Sequence, residues 1–270
     1  MSERARKGHN DGVLGLRVAH ASRQGASHQK DGTPNQDSAL VAMPSAGRLS
    51  AVAIMAVSDG AGSAINSQQG SKAACVAGVE SLTRRLNRNP AIAVREHLLR
   101  SALKRAVRNA RQSVIATARK LHGAANVNEY ACTLMLTLTS APLVGVAHVG
   151  DGCIVAGDGE VWRLLSEPDN GEFANETKFL TNPRNLPRVT VSASSDIRCV
   201  AAITDGLQDV ALSRGSAPYD RFWTPLYRAL NRAPLSSSET VLEAMLQKVA
   251  DANKATDDCT IAVCVKAGEG

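Results

Sequence analysis

The chain has 270 residues, 44% of them hydrophobic but only 3% aromatic, and a formal net charge of +6. That length suits one large domain or two small ones, with a core of Ala, Val, Leu and Ile rather than rings. No apolar run approaches the roughly 20 residues that a membrane-crossing helix needs, so no membrane partner is expected. Residues 1–12, "MSERARKGHNDG", lack the apolar segment of a secretory signal. They read as a disordered basic tail ahead of a single domain over 13–268, and a cytoplasmic setting is expected. Cys75, Cys132, Cys153, Cys199, Cys259 and Cys264 are scattered, without the close pairs of zinc sites. They predict buried thiols in a reducing compartment.

In chain order, "VLGLRVAHA", "DSALVAM" and "LSAVAIMAV" predict strands. Two helices are predicted next. The first starts between Ser63 and Ser71, carries Cys75, Val79, Leu82 and Leu86 on one face, and stops at Asn89-Pro90. The second runs from about Ile92 to Leu121 on a stripe of Leu99, Leu103, Ala106, Ala110 and Val114. "ACTLMLTLT", "LVGVAHVG", "CIVAG" and "EVWRLL" then predict strands whose short turns imply antiparallel hairpins. Ser166 to Ser195 is polar and predicts a long functional loop. "IRCVAAIT" predicts a strand ending at Asp205, helices follow over Asp220–Asn231 and Ser238–Asn253, and "CTIAVCV" is the last strand. This order is α+β, with helices covering sheet faces.

The positive charge is concentrated. Between Ser81 and Lys120 eleven Arg or Lys residues stand against one acid, Glu96; that segment carries about +10 and the remainder about −4, which together give the net +6. Arg100, Lys104, Arg108 and Arg111 fall on one stripe of the second helix. Nucleic-acid binding is one reading of that stripe, but no aromatic side chains interleave it for base stacking. A solvated face or a dock for an acidic partner fits better, and no nucleic-acid partner is expected.

The acids follow a pattern of their own. In "VSDGAGSAINSQQGS" an apolar strand runs straight into Asp59 and Gly60. Asp205 in "AAITDGLQDV" has the same build, and Asp151 in "AHVGDGCIVAG" lies between two strands. Asp257 and Asp258 precede the final strand, and Asp37 in "PNQDSAL" opens an early one. Each alone is an ordinary turn residue. Gathered along one edge of a sheet system they would repel one another unless cations neutralised them. Carboxylates, a backbone carbonyl and waters suit Mg²⁺ and Mn²⁺.

In this order the motifs resemble the metal-dependent protein phosphatases of the protein phosphatase 2C family, from about Val18 to Val265. "NQDS", "VSDGAGS", "ACTLMLTL", "HVGDG", "ITDGLQDV" and "DDCTIAV" each match one element of that family, and "SHQKDGTPNQD" before "DGAGSA" looks like its bacterial branch. The resemblance implies a β-sandwich of two antiparallel sheets flanked by pairs of helices. It also implies a serine/threonine protein phosphatase that hydrolyses phosphoserine and phosphothreonine by in-line attack of a water shared by two Mn²⁺ or Mg²⁺ ions. Asp59 would bridge the ions, helped by the Gly60 carbonyl, and Asp205 and Asp257 would complete the ligand set of the second ion. Asp257 is preferred to Asp258 because it stands three residues before Thr260. Asp37 would hold metal-bound waters, and Asp151 with Asp205 would take a third ion. The implied partner is a phosphorylated protein, with a Ser/Thr kinase as counterpart.

Two departures from the family pattern stand out. Gly32 occupies the place of an arginine that grips the phosphate; His28 is the candidate in its stead, with Arg23 and Lys30 behind it, or His28 is an ordinary loop residue. Ala61 stands where some members carry a histidine that protonates the leaving group. The competing reading is a non-catalytic phosphatase-like scaffold that binds phosphoproteins; the full set of acids argues for catalysis.

Overall fold

A computed structural model of the chain describes residues 15–44, 51–122, 126–169, 177–213, 217–252 and 256–266. The tail expected over residues 1–12 lies outside them. The strands are β1 (Leu16–Arg23), β2 (Ser38–Ala42), β3 (Ala53–Ser58), β4 (Leu134–Thr139), β5 (Leu143–Val149), β6 (Cys153–Gly157), β7 (Trp162–Ser166), β8 (Arg188–Ala193), β9 (Cys199–Ile203), the two-residue pair β10 (Leu212–Ser213) and β11 (Ala217–Pro218), and β12 (Cys259–Lys266). The helices are α1 (Ala26–Asp31), α2 (Ser67–Arg88), α3 (Glu96–His122), α4 (Gln208–Ala211), α5 (Asp220–Arg232) and α6 (Ser238–Asp251).

Two five-stranded antiparallel sheets result, in the orders β1-β12-β9-β6-β7 and β2-β3-β4-β5-β8. Alternation along the strands sets the layers, because successive side chains point to opposite faces. Ala53, Met55 and Val57 of β3 share an inner cluster with Ile154, Val200, Ala202 and Ala262 of the other sheet. Ile54 and Ala56 instead cluster with Cys75, Val79, Leu82, Leu99 and Leu103 of α2 and α3. On the far side Val155, Ala201, Ile203 and Ile261 cluster with Trp223, Leu230, Leu242 and Leu246 of α5 and α6. The architecture is therefore helix pair, sheet, sheet, helix pair, as expected for this α+β fold. With both faces of β3, β4, β6 and β9 covered, every residue of these strands is buried and apolar residues dominate both faces. All six cysteines are free thiols buried in these layers.

The structure departs from the predicted elements in three places. The second helix does not begin at Ile92: Pro90–Ala93 forms a 3₁₀ turn in which the Asn89 side chain accepts from the Ala91 N–H, and α3 starts at Glu96. Ile92 and Ala93 are apolar because that turn is buried in the core. The predicted loop from Ser166 to Ser195 contains β8, which pairs with β5 and lays Val189 and Val191 against the core beneath α2 and α3. Finally, residues around His28 form the short helix α1, ended by Gly32 at φ 71°, a left-handed cap that glycine adopts without strain. Among the described residues no helix is long and apolar enough to cross a membrane.

Candidate metal centre

The acids sit where strands end. β3 stops at Ser58, and the next backbone groups are tied to Thr133: its N–H donates to the Asp59 carbonyl (2.8 Å), and its Oγ1 accepts from the Asp59 N–H (2.9 Å). Ser58 Oγ closes the link by donating to the Thr133 carbonyl at 2.6 Å. Gly60 then passes so close to its neighbours that a Cβ would lie 2.7 Å from the Gln36 carbonyl oxygen and 2.8 Å from Ser67 Cβ. Asp151 tips the turn between β5 and β6, where Gly150 at φ 128° makes the bend. Its backbone carbonyl accepts from Gln208 Nε2, and its Oδ2 accepts from Thr177 Oγ1 at 2.5 Å. Asp205 opens the 3₁₀ turn after β9, against the start of β12.

These placements bring Asp59, Asp151 and Asp205 together across the seam between the sheets. One carboxylate oxygen of each lies within 4.8 Å of the others. The Asp59 and Asp205 carboxylates also act directly on each other, which raises Asp59 and lowers Asp205. Burial, then the charges of Asp37 and Asp205, lift the Asp59 carboxyl well above the usual carboxylate range. Burial and the Asp151 charge push Asp205 up to about 6. Asp37 lies behind them, buried. Desolvation pushes it up to about 7 against the opposing hydrogen bonds of Thr260 and Thr204, the latter from Oγ1 to Oδ2 at 2.9 Å. Buried oxygens Asp37 Oδ1 and Asp151 Oδ1 have no hydrogen-bond partner. Unpaired buried acceptors beside clustered carboxylates fit hard divalent cations.

Residues 24–247 match the family described as Protein phosphatase 2C. The chain belongs to this family. It is a homologue of serine/threonine protein phosphatases: it is 27% identical over 249 residues to Serine/threonine-protein phosphatase 3 of Escherichia coli (strain K12), covering 91% of this chain and 96% of the relative. The serine/threonine phosphatase Stp1 from Staphylococcus aureus shares the fold with a TM-score of 0.67 at 14% identity, covering 98% of this chain and 100% of that one. So does the catalytic domain of the serine/threonine protein phosphatase PstP, solved with two manganese ions. Its TM-score is 0.62 at 17% identity, over 94% of this chain and 99% of that one.

Within this protein phosphatase 2C chain the remaining predicted residues form a second group. Asp258 is buried and committed to backbone, its Oδ1 accepting from the Gly25 N–H (2.8 Å) and its Oδ2 from the Gln36 N–H (2.7 Å). Asp257, whose side chain is 58% exposed, accepts from the Asp258 N–H at Oδ1 (2.8 Å). His28 Nδ1 lies 3.0 Å from Asp258 Oδ1 and 4.0 Å from Asp257 Oδ1, and these three form a second set of ligand atoms within 4.8 Å. Asp257 thus sits by distance with His28, while its charge still acts on Asp205. Arg23 points elsewhere, donating to Gln247 Oε1 on α6 at 2.7 Å.

Thr133, Thr177, Thr204 and Gln208 orient the centre without having been singled out in the sequence. Thr204 is the most connected: it donates to Asp37 and accepts from the Thr260 N–H (2.9 Å), while Thr260 Oγ1 bonds Ser22 Oγ (2.7 Å). The Thr before Asp-Gly at Asp205 was the signal available for it.

Proposed function

We propose that the chain is a Mn²⁺- or Mg²⁺-dependent phosphatase that hydrolyses phosphoserine and phosphothreonine in proteins, opposite a Ser/Thr kinase. The observation that carries this reading is the convergence of the Asp59, Asp151 and Asp205 carboxylates within 4.8 Å. Bound ions of this kind supply Lewis acidity for a phosphoryl oxygen and lower the pKa of water. In this reading Asp59 and the Gly60 carbonyl hold two ions from one sheet, Asp205 and Asp257 hold one from the other, and Asp151 with Asp205 offers a third place. Asp37 accepts hydrogen bonds from water at the buried side, held by Thr204. His28 is the donor for the outward oxygens of the phosphate: Asp257 and Asp258 flank its Nδ1, and with both ring nitrogens protonated its Nε2–H is left for the ligand. The deciding measurement is phosphate release from p-nitrophenyl phosphate and from a phosphothreonine peptide, with Mn²⁺, with Mg²⁺ and with EDTA. Turnover is expected only with metal. Full turnover in EDTA would overturn the metal-dependent reading, and inactivity with every metal would favour the scaffold.

A further inference from the structure

The strongest charge feature away from the acids is the outer face of α2 and α3. Asn109 Nδ2 donates to Ser81 Oγ at 2.8 Å, so the two helices pair antiparallel and Arg105 comes opposite Arg85. Between them lies a groove of about 470 Å³ lined by Arg84, Arg85 and Arg88, together with Asn89 and Ser101. Ser101 also borders a neighbouring hollow of about 560 Å³ lined by Lys104 and Arg108 together with His97 and the Glu96–Arg100 pair. Ion pairs leave most of this charge unanswered. Among the described residues, those on these helices are Glu80 with Arg84 (3.8 Å) and Glu96 with Arg100 (2.9 Å), each within a single helix. Arg85, Arg88, Arg105 and Arg108 have none, and partial burial with the charges of Arg105, Arg88 and Arg108 lowers the Arg85 pKa.

We propose that this groove docks an acidic, Asp- and Glu-rich segment of a protein partner across Arg84, Arg85 and Arg88, with Arg105 beside Arg85 and Arg108 of the neighbouring hollow extending the contact. Cations crowded without counter-charges attract an anionic chain and set its register. A peptide is favoured over a nucleic acid because α2 and α3 contain no Phe, Tyr or Trp on which bases would stack. The groove is also remote from the acid centre. Ser67 at the start of α2 abuts Gly60, and Arg85 stands about 27 Å further along the helix at ~1.5 Å per residue. An extended segment of about 8 residues spans that distance. On the phosphatase reading, the groove therefore selects substrates whose acidic stretch lies about that far from the phosphorylated residue; the docking itself does not depend on it.

The test uses the full chain and a fluorescent deca-glutamate peptide, followed by anisotropy at low salt. A triple variant Arg88→Glu, Arg105→Glu, Arg108→Glu, all exposed, is compared with Arg163→Glu, Arg228→Glu, Arg232→Glu, also exposed and elsewhere. The groove triple is expected to weaken binding at least about tenfold, and the other triple to stay within about twofold. Equal loss in both would mean attraction to net charge alone, and no binding to the parent would dismiss the dock; either overturns the proposal. So would tighter binding of deca-thymidine to the same groove, which would assign it to nucleic acid. Hydrolysis of p-nitrophenyl phosphate, read in the same samples, is expected to be unchanged in both triples. A parent that binds the peptide but hydrolyses nothing would remove the phosphatase reading and leave the dock standing.

Discussion

Asp59 and Asp205 lie with Asp151 in one carboxylate cluster, and the Asp205 charge raises Asp59, so Asp59→Asn and Asp205→Asn each remove a charge the metal needs and a repulsion the empty centre suffers. Turnover should fall by more than the ~10–100-fold typical of losing an outer-shell partner. Melting without metal should be unchanged or higher, and near-parental turnover would mean the wrong acids have been chosen. The sign with pH is definite. The folded chain holds protons on Asp205 up to about 6 and on Asp37 up to about 7, above the ordinary carboxylate value, so it binds more protons than the unfolded chain in that window. The contribution of these two groups to stability is therefore fully present below the ordinary value and is lost as pH rises through the folded values. The Tm advantage of metal-free Asp59→Asn over the parent should be largest near about pH 8 and shrink toward about pH 5. An advantage independent of pH would argue against the proton held in the cluster. Thr204→Val, which removes the donor to Asp37, should cost about 10–100-fold in turnover, and Thr204→Ser should restore it. The acids were legible because each follows or precedes an apolar run, and Asp59, Asp151 and Asp205 stand beside a glycine as well. Their tethers were not: Asp258 takes its donors from Gly25 and Gln36, more than 200 positions away, and nothing local marks such a partner.

Arg111 shows how an element can depend on one side chain from another. Its guanidinium donates to the carbonyls of Leu180 (2.6 Å) and Asn185 (2.5 Å), while Arg100 donates to Val189 at 2.7 Å within β8. Two cations of the predicted solvated stripe thus hold the segment that leads into and forms β8. Arg111→Ala should lower stability by about 2 kcal/mol, the lower part of the range for hydrogen bonds to charged groups, because the side chain is part-exposed. Exposed Lys104→Ala should stay within about 0.5 kcal/mol, and urea midpoints separate the two. Equal midpoints would mean that the carbonyls are satisfied by water instead. Strand β8 itself was not legible. "RVTVSA" is an edge strand with a half-exposed face, and alternating Thr and Ser among two valines resembles the polar loop around it. The central strands, covered on both faces, carried the stronger signal.

Both sheets contribute carboxylates to one seam, so cations that bind there bind the folded chain and not its unfolded form. Mn²⁺ at a hundredfold excess over its Kd should stabilise the parent by about 2.7 kcal/mol; the gain should vanish with EDTA and in Asp205→Asn. No metal-dependent change in Tm would count against a cation site at the seam. The separation of a negative seam from a positive helix pair also explains how a chain of net +6 keeps a cluster of acids. The layering has one more consequence. The first and last strands pair directly, Leu16 opposite Lys266, so the chain enters and leaves the same sheet at neighbouring points. A circular permutant that joins Lys266 to Leu16 through a short Gly/Ser linker, and opens instead between Pro234 and Leu235 where Leu235 is exposed, should refold to the same layers and retain its Mn²⁺ stabilisation. The seam would then be a property of how the sheets stack, indifferent to where the polypeptide starts.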